Sequence, residues 1–95
     1  MGVPSIASKR YIVMGRVQGV GFRTFVKKIA AREGLSGFVR NDASGSVEVV
    51  AVGKGEAIER LEGWLRAGSA LAEVEDLTIH EWGSPLETDG FHIRE

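Results

Sequence analysis

The chain predicts an α+β fold of order βαββαβ, in which two helices cover one face of an antiparallel sheet. Three observations carry that prediction. Short stretches of β-branched or alternating apolar residues mark strands, two longer stretches repeat apolar residues at helical spacing, and glycines punctuate the segments. Ninety-five residues leave room for one core, so residues 9–95 are expected to form a single domain behind a flexible tail at residues 1–8.

Residues 11–17 are an apolar run with β-branched Ile12, Val13 and Val17, which predicts a strand buried on at least one face. Phe22, Phe25, Val26, Ile29 and Ala30 then recur at helical spacing and stop at Gly34, predicting a first helix over residues 22–33. Residues 37–41 and 46–52 read as two strands of a hairpin, with Val47, Val49 and Ala51 on one face and the turn at Asn41, Asp42, Ala43, Ser44 and Gly45. A second helix spans residues 55–67, with Ile58, Leu61, Trp64 and Leu65 on one stripe and Gly68 as its stop. Trp64 is expected in the core, and Glu56, Glu59 and Glu62 on a solvated face. Within residues 71–82, Leu77 and Ile79 alternate with Thr78 and His80, predicting a fourth strand with Trp82 partly exposed at its end. After a turn over residues 83–90, Phe91 and Ile93 alternate with His92 and Arg94, predicting a short edge strand.

Apolar residues make up 43% and charged residues 26%, which indicates neither a disordered chain nor a membrane span. The absence of cysteine removes disulfides, thiolate nucleophiles and cysteine-ligated metal sites, and suits a reducing cytoplasm. The first eight residues are too short and too weakly apolar for a signal peptide, and Ile6 stands where a myristoylation signal needs Ser or Thr. Net charge is −1, yet residues 1–41 hold eight Lys and Arg against one acid, and residues 42–95 hold four against twelve. That asymmetry fits an anionic ligand on the first half, or two halves that interleave and neutralise each other.

The chemistry concentrates in Gly15, Arg16, Val17, Gln18, Gly19, Val20, Gly21, Phe22 and Arg23. Glycines let the backbone bend through positive φ and approach a ligand, so that successive N–H groups converge on one oxyanion. The helix start behind them adds its dipole, and Arg23 adds a planar fork for phosphate oxygens. A P-loop needs Lys followed by Ser or Thr after its last glycine, which is not the pattern here. A dinucleotide fingerprint starting at Gly19 needs its third glycine where Thr24 stands. By physics alone the stretch is an anion cradle or a tight turn.

Tyr11-Ile12-Val13-Met14-Gly15-Arg16-Val17-Gln18-Gly19-Val20-Gly21-Phe22-Arg23 resembles the signature of the acylphosphatase family. Gly37-Phe38-Val39-Arg40-Asn41, followed by Gly45-Ser46-Val47-Glu48, is similar to that family's second signature, and the resemblance runs from residue 11 to residue 94. It implies a ferredoxin-like sandwich and hydrolysis of small acyl phosphates to a carboxylate and inorganic phosphate, with no metal or other cofactor. It also implies Arg23 as phosphate ligand and Asn41 as the residue that positions water, the N–H groups of residues 15–22 completing the cradle. The expected partner is a small acyl phosphate, with no nucleic acid and no membrane, and the expected state a cytoplasmic monomer.

These roles make chemical sense. An acyl phosphate is a mixed anhydride whose leaving carboxylate is already a weak base, so neither a catalytic His nor paired carboxylates are needed. The difficulty is bringing water in line with phosphorus against negative charge, a task of positioning and electrostatics. Hydrogen bonds from a charged Arg23 contribute about 1.5–3 kcal/mol each, a helix terminus up to about 2, and positioning up to about 7–11. Asn41 offers a donor and an acceptor but cannot take a proton, so it would hold water without deprotonating it. Taken alone, Asn41 is an ordinary turn residue and Arg23 a solvated cation at a helix start, where it opposes the dipole.

The hairpin departs from the family where Asp42 follows Asn41 and Ser44 precedes Gly45, which places a carboxylate beside the water-positioning amide. His80 and His92 lie on different predicted strands without a third ligand nearby, and read as satisfied or solvent-facing side chains. Three functions follow. The first is a free-standing acylphosphatase. The second is a non-catalytic or specialised acylphosphate or carbamoyl-phosphate binding domain, like the one that begins the hydrogenase-maturation carbamoyltransferases, whose zinc-finger cysteines this sequence lacks. The third, an RNA-binding plait of the same topology, needs aromatics in its central strands, and residues 46–52 have none.

Overall fold

Strand β1 (Ile6–Arg16), helix α1 (Phe22–Arg32), strands β2 (Ser36–Asn41) and β3 (Val47–Lys54), helix α2 (Gly55–Ala67), and strands β4 (Glu73–Glu81) and β5 (Phe91–Arg94) follow in the predicted order in a computed structural model. The structure describes residues 5–86 and 89–95. The five strands form one sheet ordered β4-β1-β3-β2-β5. Four strands pair antiparallel, but β5 runs parallel to β2, so the expected antiparallel sheet is a mixed one. Parallel pairing follows from the crossover that carries the chain back to the far edge of the sheet.

Both helices pack on one face, over a core of Tyr11, Val13, Val39, Val47, Val49 and Ala51 from the sheet and Phe22, Val26, Ile29, Leu61 and Leu65 from the helices. Each fully buried Leu or Phe contributes about 1.5–3 kcal/mol. The alternation expected of β3 is hidden by burial on both faces. Opposite the helices, Val50 and Phe38 are also buried. Trp82 packs edge-on against Phe38 with centroids 6.2 Å apart, and the Arg94 guanidinium lies 3.9 Å above the Phe38 ring. Next to them, buried Glu48 accepts from both Arg10 and Arg40. Trp82 is half-buried, as predicted.

Several expectations change. Residues 6–8, expected in a flexible tail, belong to β1 instead, because Ile6, Ala7 and Ser8 pair with Lys54, Gly53 and Val52. Backbone partners on β3 extend the strand where side-chain hydropathy gave no signal; residues 1–4 lie outside the described residues. Trp64 is 45% exposed and outside the core. Leu61 and Leu65 fill the inward stripe of α2, and Trp64 instead meets Phe25 of α1 edge-on at 6.1 Å. Glu62 is half-buried, accepting from the Tyr11 hydroxyl at 3.1 Å and pairing with Arg66, while Glu56 and Glu59 face solvent. Part of the turn expected at residues 83–90, positions 87 and 88, lies outside the described residues.

The sheet order also answers the charge asymmetry. Placing β3 between β1 and β2, and β4 beside β1, brings acids of the second half beside bases of the first, in the pairs Arg10–Glu48, Arg40–Glu48 and Lys9–Glu81. Three of the eight basic residues of the first half, Lys9, Arg10 and Arg40, are paired in this way, while Arg16, Arg23, Lys27, Lys28 and Arg32 have no carboxylate partner among the described residues.

Candidate active site

The site begins where β1 leaves the sheet. A bulge between Met14 and Gly15 shifts the register against β4, and a Cβ at Gly15 would lie 2.2 Å from the Glu73 carbonyl oxygen. The chain then passes Arg16, exposed at the strand end, to Val17. Val17 and Phe22, each 1% exposed, anchor the two ends of the intervening loop in the core. Between them Gly19 and Gly21 adopt φ of +74° and +76°, a left-handed conformation open to glycine and costly for most other residues.

Gly21 is the N-cap of α1, and no side chain caps it. Its carbonyl accepts from the Phe25 N–H at 3.1 Å, which starts the helix and leaves the N–H groups of Phe22, Arg23 and Thr24 without intrahelical acceptors. The first turn holds no acid. A positive helix end, unopposed by a carboxylate, therefore carries Arg23 on its first turn, an arrangement that favours an anion. Among the described residues no carboxylate pairs with Arg23. Its Nη1 donates to the Arg94 carbonyl oxygen of β5 at 3.3 Å, which holds the guanidinium and leaves its other N–H groups for a ligand.

Asn41 closes β2, paired with Val47 across the hairpin. Its Oδ1 is buried and takes no hydrogen bond from the described residues. Asp42 N–H donates to the Ser46 carbonyl at 2.8 Å, and Gly45 N–H to the Asp42 carbonyl at 3.0 Å, shaping the turn. The Gln18 amide reaches over from the glycine loop and donates to both of those carbonyls, at 2.8 and 2.9 Å. The Asp42 carboxylate accepts from Ser44 Oγ at 3.2 Å.

Val17, Gly19, Gly21, Phe22, Arg23, Thr24, Asn41 and Ile93 line a cleft of about 130 Å³. Six of these come from the residues singled out in the sequence. Gly15 shapes the strand exit, Arg16 stays outside, Val20 packs against the core, and Gln18 turns its side chain to the hairpin. Sequence reasoning missed Thr24 and Ile93. Thr24 was visible as a first-turn residue of α1, but Ile93 reaches the cleft only through the parallel β2–β5 pairing, which leaves no local signal. His80 and His92 are exposed; His92 Nε2 lies 2.7 Å from the Asp89 carbonyl oxygen and His80 Nε2 lies 3.3 Å from Thr78 Oγ1. Among the described residues no group of three His, Asp or Glu side chains could hold a metal ion.

Comparison with known proteins gives a consistent result. Residues 9–93 match the family model described as acylphosphatase. A Pasteurella multocida acylphosphatase is 45% identical over 86 residues, covering 90% of this chain and 96% of its own. The crystal structure of an acylphosphatase from Bacillus subtilis superposes with a TM-score of 0.87 at 36% identity, over 96% of this chain and all of that one. A full-length HypF, solved in a phosphate- and nucleotide-bound form, matches 99% of this chain with 12% of its own length, at a TM-score of 0.88 and 30% identity.

Proposed function

This chain belongs to the acylphosphatase family, and on that footing we propose that its cleft hydrolyses the carboxyl–phosphate anhydride of small acyl phosphates. The glycine loop, the α1 N-terminus and Arg23 hold the phosphoryl group, and Asn41 positions the attacking water. The observation that carries this reading is the convergence on one cleft of an uncapped helix start with, among the described residues, an arginine without an acidic partner and a buried Asn41 carbonyl without a hydrogen bond.

The substrate brings negative charge to a cleft where a helix N-terminus and Arg23, without a carboxylate partner among the described residues, supply positive potential. Arg23 and the N–H groups of Phe22, Arg23 and Thr24 bind the phosphoryl oxygens and stabilise charge as the anhydride bond breaks. Asn41 Oδ1 accepts from the water and orients it toward phosphorus. The water oxygen forms the new bond to phosphorus, the carboxylate leaves with its electron pair, and a phosphoryl oxygen takes up the proton. Because the leaving group is a weak base, no general acid is required.

The reading extends to a cytoplasmic monomer working on a small molecule. Support comes from the absence of cysteine and from a third strand, Val47–Lys54, without the aromatics on which a nucleic acid would stack. No helix among the described residues is long and apolar enough to cross a membrane. The likeness to a segment of HypF favours a second reading, an acylphosphate or carbamoyl-phosphate binding domain. Correspondence with nearly the whole length of the Pasteurella multocida acylphosphatase favours the enzyme.

Benzoyl phosphate hydrolysis in excess chelator separates these. Activity is expected to persist in chelator and to fall about 10²–10³-fold in Arg23→Ala and in Asn41→Ala. Folded variants that both keep full activity would refute the site. Absence of turnover with retained phosphate binding would favour the binding domain.

A further inference from the structure

We infer that the Gln18 side chain is a strut that holds the phosphate loop and the Asn41 hairpin in one register, and so sets the line along which water meets phosphorus. The inference rests on the acylphosphatase reading of the cleft. Gln18 stands in the middle of the loop, yet it does not line the cleft. Its Nε2 donates instead to the carbonyl oxygens of Asp42, at 2.8 Å, and Ser46, at 2.9 Å. An amide nitrogen has two N–H donors, and both are used here.

The two acceptors frame the turn that Asn41 opens. Asp42 N–H also donates to Ser46 O, at 2.8 Å, so a single side-chain amide bridges both sides of the hairpin at this pair. Among the described residues these are the only side-chain hydrogen bonds from the loop to the hairpin. Each unit is otherwise anchored separately, the loop by buried Val17 and Phe22 and Asn41 by its pairing with Val47. The loop would fix phosphorus and the hairpin would fix water, so the relative placement of the two units decides the approach.

Alignment is where such a reaction is most sensitive, since about 1 Å of misplacement can cost about a hundredfold. Gln18 suits the task because it donates twice without adding charge to a loop whose N–H groups face an anion. A carboxylate at the same length would set its oxygens against two carbonyl oxygens. Gln18 is therefore a positioning residue that acts through Asn41.

The test measures kcat and KM for benzoyl phosphate on the full chain, in wild type, Gln18→Met, Asn41→Ala and the double variant. Gln18→Met is expected to lower kcat by about ten- to a hundredfold with KM held within about twofold, because the phosphate contacts remain. The double variant should match Asn41→Ala within about twofold, since no positioned water is left to misalign. Losses that multiply in the double variant, or a Gln18→Met effect confined to KM, would overturn the strut while leaving the hydrolase intact. Gln18→Glu provides a second readout should the Met variant fold poorly. Its carboxylate repels the two carbonyls, but protonation restores one donor, so its kcat relative to wild type should rise as pH falls toward about 4.3. A ratio that stays flat with pH would count against the strut. Full activity in Asn41→Ala would instead overturn the water-positioning reading, and the strut's function with it.

Discussion

Tyr11 is the only tyrosine of the chain, it is fully buried, and its hydroxyl donates to Glu62 Oε1 at 3.1 Å across the β1–α2 interface. Burial, then the Glu62 charge and the hydrogen bond to it, push its ionisation well above the ordinary value near 10. Tyr11→Phe removes that bond. Hydrogen bonds to charged groups contribute about 1.5–3 kcal/mol, and the low end applies because Glu62 is partly exposed and shared with Arg66, so a loss of about 1.5 kcal/mol at neutral pH is expected. In a domain of this size that lowers Tm by about 6–12 °C. Alkali then erases the difference. Above pH 10 the unfolded chain releases the phenolic proton while the folded chain keeps it, so wild type loses stability at about 1.4 kcal/mol per pH unit relative to the Phe variant. The advantage is present below pH 10 and gone near pH 11. Urea unfolding of both proteins from about pH 8 to pH 11 measures it, and tyrosinate absorbance reports Tyr11 without interference from another tyrosine. A folded-state tyrosine that titrates near 10, or stability curves that stay parallel across this range, would refute the reasoning.

Other outcomes follow from the same fold. Gly37→Ala would put a Cβ 1.8 Å from the Val50 carbonyl oxygen at a φ of +143°, so urea unfolding should show a loss of at least about 2 kcal/mol; unchanged stability would mean that β2 and β3 part without cost. Inorganic phosphate at about a hundred times its Kd should stabilise the protein by about 2.7 kcal/mol, read as a rise in Tm that Arg23→Ala abolishes. Asp42→Asn removes a carboxylate beside Asn41 and should lower KM for an anionic substrate about twofold at low salt, the difference vanishing near 1 M salt.

The glycine loop and both helices were legible because their signals are local: apolar period, glycine stops, and an arginine placed against a helix dipole. Gly19, Gly21, Arg23 and Asn41 line one cleft, and it was the resemblance to the two acylphosphatase signatures, not local spacing, that put Asn41 with the loop. What depends on distant pairing was not legible. Ile93 enters the cleft because β5 lies parallel to β2, and hydropathy does not encode which strands become neighbours. Trp64 shows a different limit. Helical spacing places it on the apolar stripe, but Leu61 and Leu65 already fill the core, and position 64 is left at the flank against Phe25. Gln18 shows a third, since no pattern tells whether a loop amide turns toward a ligand or toward the next hairpin.

The contact between Arg23 and the Arg94 carbonyl joins positions 71 residues apart, which makes time part of the design. Helix α1 and the β2–β3 hairpin close over short distances and can form early. The guanidinium gains its fixed contact only after the chain has crossed the whole sheet and β5 has docked, an event of high sequence separation and correspondingly slow closure. Recovery of activity after dilution from denaturant should therefore lag the return of helical signal. Turnover becomes a clock for the last step of assembly.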